Sequence, residues 1–316
     1  MKKLYKNFGV LDGTYTAQTS IGEELAKLPP GAYEIQYEPK FNMLNFNPMK
    51  ITNDNIIDLP SPEYSRVVSE MKKFLLPETR QKLNDLGFLY KRSCLLEGIP
   101  GGGKSIIVNR VAREAIKNGG VVLYSSDPGE LHIAFKALED VQPETICLVI
   151  LEELDAIIEE CGEKPLLLLL DGQIQKQNVM YLATTNYINR IPPRMYRPGR
   201  FSSVIKVGTP NPEARKVFLE TKLGKDFKDM KNWIRDTEGL TIDELKEVIQ
   251  SVVCFGYDLH ETIERIGKTR ASKKDQDEDD DDNGPYDAMA IIAEQMLGNG
   301  RSKQPKRRGL WFNDEN

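Results

Sequence analysis

The chain has 316 residues, 40% of them hydrophobic and 29% charged, a composition typical of a soluble globular protein with one large domain and a smaller one. The net charge of −5 includes seven carboxylates at 275–282, and the rest of the chain carries +2. This near-neutral body gives no general argument for nucleic-acid binding. The four cysteines are scattered without metal-ligand spacing, the N-terminus lacks a signal-peptide pattern, and the apolar stretches are short. We therefore expect a cytoplasmic protein without membrane association.

The first 55 residues are predicted to be a small segment, β-rich in part. Apolar positions alternate within 32–37 and 42–51 between proline and glycine breaks. Helices are predicted at 63–76 and 78–86, and they lead into the first strand of the main domain, which we expect to span 56–210.

The most specific motif follows that first strand. Residues 98–105 read Gly-Ile-Pro-Gly-Gly-Gly-Lys-Ser and fit the phosphate-loop pattern G-x-x-x-x-G-K-[ST]. Glycines allow backbone N–H groups to surround phosphates, Lys104 can reach the β- and γ-phosphates, and Ser105 can place its hydroxyl on Mg²⁺. A strand before the loop and a helix at 106–117 after it are the context that this motif requires. The predicted nucleotide contacts are Gly98, Pro100, Gly101, Gly102, Gly103, Lys104, Ser105 and Ile106.

Apolar strand-like runs then alternate with helical stretches, which predicts a parallel sheet covered by helices on both faces. The predicted strands are 94–96, 121–125, 146–151, 179–184 and 204–207. Cys94 and Cys147 lie within these runs and are expected to be buried thiols.

Polar residues follow two of these strands. Glu152 and Glu153 end the third strand, where Glu152 could hold Mg²⁺ through water and Glu153 could polarise the water that attacks the γ-phosphate. Asn186 ends the fourth strand, where it could orient that water, contact the γ-phosphate, or simply terminate the strand as a turn residue.

Beyond Pro210 the pattern becomes helical. Helices at 213–223, 229–237, 242–255 and 260–266 predict a small helical domain at 211–270. The acidic stretch 271–285 is predicted to be a disordered linker. The tail at 286–316 is either a docking peptide or a disordered end.

Taken together, the motifs resemble the AAA ATPases of the AAA+ superfamily over about residues 56–265. Besides the loop, the acidic strand and Asn186, the resemblance includes Asp171-Gly172 and the stretch Arg197-Pro-Gly-Arg200-Phe. It implies a three-layer α/β P-loop NTPase fold with a small C-terminal helical lid domain, and ATP and Mg²⁺ as cofactors. By this resemblance Glu153 is catalytic and Asn186 is a sensor. Arg197 and Arg200 match arginine fingers that complete the neighbouring subunit's site in a ring, most often a hexamer.

The chain also departs from that family. Glu152 stands where relatives usually carry Asp, and Gly102 where many carry Thr. The aromatic–aliphatic–Gly triplet that threading members carry after the second strand is missing at 125–135, where we expect Phe135 to be a core residue and His132 partly exposed. The Leu-Glu-Glu and Thr-Thr-Asn sequences are similar to the branch of the mitochondrial chaperone that translocates the Rieske protein.

The resulting hypothesis is an Mg²⁺-dependent ATPase ring that remodels an unknown protein or protein complex. A nucleotide-gated assembly module with little turnover is an alternative, as is a motor directed by nucleic acid, for which the basic stretch 301–308 is the only support.

Overall fold

A computed structural model describes residues 5, 7–11, 14–18, 27–51, 57–171 and 176–281. The tail 286–316 and Gly172 lie outside these residues, so the expectations about them stay predictions. The described residues fall into two compact units, one among residues 1–250 and the other from residue 251 onwards.

In the first unit, the described residues form nine strands of one sheet in the order β1-β2-β4-β3-β6-β7-β8-β5-β9. The strands are β1 Asn7–Leu11, β2 Thr14–Gln18, β3 Gly31–Glu38, β4 Met43–Met49, β5 Lys91–Glu97, β6 Val121–Tyr124, β7 Cys147–Leu151, β8 Val179–Thr185 and β9 Ser203–Lys206. β6, β7, β8, β5 and β9 are neighbours in that order, and each adjacent pair is parallel, as the sequence predicts. A mixed α/β fold with a large, mostly parallel sheet confirms the predicted fold class.

The N-terminal strands extend this sheet. β3 pairs in parallel with β6, with Gly31 opposite Val121, and β4 and β2 continue the sheet by antiparallel pairing. Two side chains at the end of the helix Pro128–Val141 secure the segment. Asp140 accepts a hydrogen bond from the Tyr5 backbone at 3.0 Å, and Gln142, directly after the helix, accepts one from the Leu28 backbone at 2.6 Å.

Helices pack against the sheet, and some of them begin with a side-chain cap. Their bounds are α1 Pro62–Phe74, α2 Pro77–Asp85, α3 Lys104–Lys117, α4 Pro128–Val141, α5 Leu154–Cys161, α6 Glu163–Asp171, α7 Pro212–Leu223, α8 Met230–Asp236 and α9 Ile242–Ile249. Ser61 caps α1 and Asn211 caps α7 by accepting backbone N–H bonds at 3.1 and 2.8 Å. None of the described helices is long and apolar enough to cross a membrane.

The central strands are buried almost throughout. Cys94, Cys147, Leu182 and their neighbours on β5, β7 and β8 are almost fully buried. Burial raises the pKa of Cys94 and of Cys147 to about 12. The prediction that these two cysteines are buried thiols is therefore confirmed.

Helices α7–α9, predicted to belong to a separate lid domain, lie in the same compact unit as the sheet. Two hydrogen bonds link this region to the rest of the unit: Asn211 donates to the Pro60 carbonyl at 3.1 Å, and the Asp243 backbone donates to the Gly101 carbonyl at 3.3 Å. The predicted boundary of a lid domain stays a prediction.

The second unit contains α10, Leu259–Asp281. Asp258 caps it by accepting backbone N–H bonds from His260 and Glu261 at 2.8 and 3.0 Å. The helix continues to Asp281, so it includes most of the acidic run that the sequence placed in a disordered linker.

Candidate functional site

The polar residues predicted to act together meet at the carboxyl edge of the sheet. β8 lies between β5 and β7, with Thr185 opposite Glu97 and Ala183 opposite Leu151. The segments that follow these strands therefore converge on one cavity of about 600 Å³. Its lining comprises Pro100, Gly101, Gly102, Gly103, Lys104, Ser105, Ile106, Glu152, Glu153, Thr184, Asn186, Ile242, Asp243 and Lys246.

The phosphate loop has a backbone that only glycine adopts easily. Gly98 has a φ of 150°, and a Cβ there would lie 2.0 Å from the Val207 carbonyl oxygen. Gly101 and Gly103 have φ angles of 73° and 104°. Helix α3 begins directly after Gly103, so its positive end faces the loop, which favours an anion there.

Lys104 is the buried cation of the cavity. Its ammonium donates to the carbonyls of Gly98 and Ile99 at 2.6 and 3.0 Å, and to Asn186 Oδ1 at 2.6 Å. Burial lowers the pKa of Lys104, and the charge of Asp155 is the strongest of the opposing effects. The predicted lysine and the predicted strand-end amide are thus in direct contact.

Glu153 has an uncommon backbone conformation for its type, with a φ of 53°. Its backbone N–H donates to Thr184 Oγ1 at 3.2 Å, and its side chain does not cap α5. The carboxylate is therefore left for the cavity that Glu153 lines. Thr184, which supports this turn, was missed because a threonine inside a strand carries no signal in the sequence.

Glu152 lies beside Glu153 and lines the same cavity. The pKa of Glu152 is raised, first by loss of water around its carboxylate and second by the charge of Glu153, although the residue as a whole is exposed. Ser105 and Glu152 both offer hard oxygen donors to the cavity, which is the ligand chemistry that Mg²⁺ prefers. These residues therefore fit the metal that the sequence predicts.

Asn186 is positioned by the residue before it. Thr185 Oγ1 donates to Asp155 Oδ1 at 2.5 Å and accepts from the Tyr187 backbone at 3.0 Å. These bonds fix the chain on both sides of Asn186, so its amide is held at Lys104.

The two arginines do not line this cavity, and they differ from each other. The Arg197 residue is exposed. Arg200 is held inside its own chain, with Nε 3.3 Å from Asp171 Oδ2 and Nη1 donating to the Arg194 carbonyl at 2.7 Å. Arg197 is therefore the better placed of the two to reach a neighbouring molecule.

A second cavity of about 280 Å³ shares Gly102 and Gly103 with the first, and sequence reasoning missed it. Its other lining residues come from three distant segments, so no local pattern could have revealed it. They are Leu59, Ser61, Pro62, Glu63, Tyr64, Ile107, Val207, Gly208, Thr209, Pro210, Asn211 and Ala214.

In the segment after β6, Phe135 was expected in the core and His132 was expected to be partly exposed. Phe135 is 2% exposed and packs edge-on against Tyr181 with ring centroids 6.2 Å apart. His132 is half-buried. Phe135 is confirmed as a core residue, and no aromatic residue of the stretch 125–135 is exposed.

Comparison with known proteins agrees with this geometry. Residues 94–209 match the family described as "ATPase family associated with various cellular activities (AAA)". The chain is 31% identical over 58% of its length to the ATP-dependent zinc metalloprotease FtsH of Rubrobacter xylanophilus, and 33% identical over 49% to a cell division cycle protein 48 homolog of Archaeoglobus fulgidus. It is 29% identical over 53% to the human ATPase family gene 2 protein homolog B.

These matches cover 31%, 23% and 25% of the respective relatives, so the chain spans a third of their length or less. They do not bear on the narrower resemblance to the Rieske-protein chaperone branch, which stays a prediction. The matched region contains the phosphate loop, Glu153, Asn186 and both arginines. From the match and these relatives together, we conclude that residues 94–209 form a domain of the AAA family.

Proposed function

We propose that the chain hydrolyses ATP within a homo-oligomeric ring, hexameric as is typical of the family, and uses that hydrolysis to remodel a protein or protein complex. The observation that carries this proposal is the meeting of Lys104, Glu153 and Asn186 at one cavity. A cation for phosphate, a carboxylate for water and an orienting amide are the groups that phosphoryl transfer to water requires.

The two adjoining cavities suggest how ATP is held. The triphosphate occupies the larger cavity, where the loop N–H groups and Lys104 contact it, and the base occupies the smaller one. Leu59, Val207 and Ala214 give the smaller cavity an apolar lining that suits the flat face of adenine. Ser105 and Glu152 would hold Mg²⁺, which would supply positive charge to the phosphates.

In this arrangement Glu153 accepts a proton from the attacking water, and Asn186 fixes the direction of that water. Lys104 gives up its contact with Asn186 when phosphate competes for the ammonium, which leaves the amide for the water. Arg197 of each subunit reaches the cavity of the next, because its exposed side chain lies away from its own cavity.

Phosphate release by the purified chain tests this proposal. We expect the unaltered chain to hydrolyse ATP. Lys104→Ala should lose both ATP binding and turnover. Glu159→Gln, which removes an exposed carboxylate of α5 outside the cavity, should leave turnover unchanged. Absence of ATP-dependent phosphate release from an assembled, folded chain would contradict it.

A second candidate is a nucleotide-gated assembly module with little turnover. Glu152 motivates it, because relatives usually carry Asp at this position and the longer side chain alters the geometry at the metal. Ring formation on ATP addition without phosphate release, followed by light scattering, would identify this alternative.

A further inference from the structure

The first turn of α9 lies directly on the phosphate loop. The backbone N–H of Asp243 donates to the Gly101 carbonyl at 3.3 Å. A Cβ at Gly101 would lie 3.1 Å from both Cβ and Oδ2 of Asp243. An acidic side chain therefore stands against the backbone that is built to receive anionic phosphates.

Asp243 is paired with a lysine of the same helix. Lys246 Nζ donates to Asp243 Oδ1 at 2.6 Å, and both residues line the larger cavity. The side chains are 62% exposed for Asp243 and 33% for Lys246, so the pair contributes little to stability. The ion pair therefore adds little to what an acid in the first turn of α9 already contributes by facing the positive end of the helix.

The helix that carries the pair has a fixed beginning. Thr241 and Glu244 form a reciprocal cap, with bonds of 3.2 Å from the Glu244 backbone to Thr241 Oγ1 and 2.7 Å from the Thr241 backbone to Glu244 Oε2. The first turn of α9, which contacts the phosphate loop, is thus held in a fixed conformation.

We propose that Asp243 and Lys246 form a charge switch in the nucleotide site, in which ATP phosphate and Asp243 compete for Lys246. With the site empty, Lys246 is neutralised by Asp243. With ATP bound, Lys246 turns to the phosphates and Asp243 is left unpaired beside them. The repulsion between Asp243 and the phosphates weakens ATP binding. Because both residues belong to α9, the exchange also links the position of this helix to phosphate occupancy.

This switch rests on the proposed ATP site, but its test measures binding and not hydrolysis. We expect Asp243→Asn to tighten ATP binding about threefold to tenfold in titrations with a fluorescent ATP analogue, because it removes both the repulsion and the competitor. The gain is larger for ATP than for ADP and smallest for AMP. Glu220→Gln, which breaks an i,i+4 pair with Lys216 on α7 outside both cavities, leaves affinity unchanged.

The partner exchange is tested by combining the two changes. We expect Lys246→Gln to weaken ATP binding, and to weaken it more in the Asp243→Asn background, where the lysine is fully available to phosphate. Equal ATP affinity in all variants, or strictly additive effects, would overturn the switch while leaving the proposed function intact. No ATP binding by the unaltered chain would overturn both.

Discussion

Replacing Gly98 by Ala tests whether the phosphate loop is built as described. At Gly98 the backbone φ of 150° is unfavourable for any L side chain, which costs about 1–3 kcal/mol. The added methyl would also lie 2.0 Å from the Val207 carbonyl oxygen, and forcing it into a packed site costs about 1–3 kcal/mol more. Gly98→Ala should therefore lower the free energy of unfolding by about 2–6 kcal/mol.

Two other glycines separate these contributions. Gly87 has a φ of 72° but open space for a Cβ, so Gly87→Ala isolates the backbone cost. Gly102 has no such φ, and its Cβ would meet the Ile99 carbonyl oxygen at 3.1 Å, so Gly102→Ala isolates a tight contact. Both should cost less than Gly98→Ala.

Thermal unfolding by circular dichroism is the assay. A loss of 2–6 kcal/mol corresponds to a fall in Tm of roughly 5–20 °C for a domain of this size. ATP binding should be lost in Gly98→Ala as well, because the loop must move away from Val207. A Tm for Gly98→Ala that is no lower than the Tm for Gly87→Ala would refute the reasoning.

Three further predictions concern the rest of the site and the core. Ala214→Leu should fill part of the smaller cavity and weaken ATP binding about tenfold or more while leaving inorganic triphosphate binding unchanged; equal losses for both ligands would contradict a base site there. Arg197→Ala should abolish turnover at unchanged Tm, whereas Arg200→Ala should also lower the Tm by breaking contacts with Asp171 and the Arg194 carbonyl; an Arg200→Ala chain as stable as the unaltered one would contradict this. A thiol reagent at pH 8 should label the exposed Cys254 and leave Cys94 and Cys147 unmodified, since burial raises the pKa of both to about 12; their rapid modification in the folded chain would contradict that burial.

The parallel strands could be predicted from sequence because each is a continuous apolar run that ends at a polar residue. Glu152 directly follows β7 and Asn186 directly follows β8, so the parallel arrangement alone brings these residues to one edge. The phosphate loop was equally clear, because its glycines and Lys104 occur at fixed spacing in one segment.

What the sequence did not reveal depends on contacts between distant residues. The parallel pairing of β3 with β6 joins Gly31 to Val121, and no periodicity encodes that register. In the same way, nothing local places Asp243 on Gly101, 142 positions earlier in the chain, or brings Leu59 and Ala214 into one cavity. These contacts explain why the smaller cavity and the Asp243–Lys246 pair were missed.

The central claim is that Glu153 activates the water that attacks ATP at this cavity. The most direct measurement is the nucleotide that remains bound after the assembled chain is mixed with ATP and Mg²⁺, separated from free ligand and quenched with acid. We expect ADP on the unaltered chain and intact ATP, bound with similar affinity, on Glu153→Gln, with turnover at least about a hundredfold lower. ADP appearing at the same rate on Glu153→Gln would contradict the account.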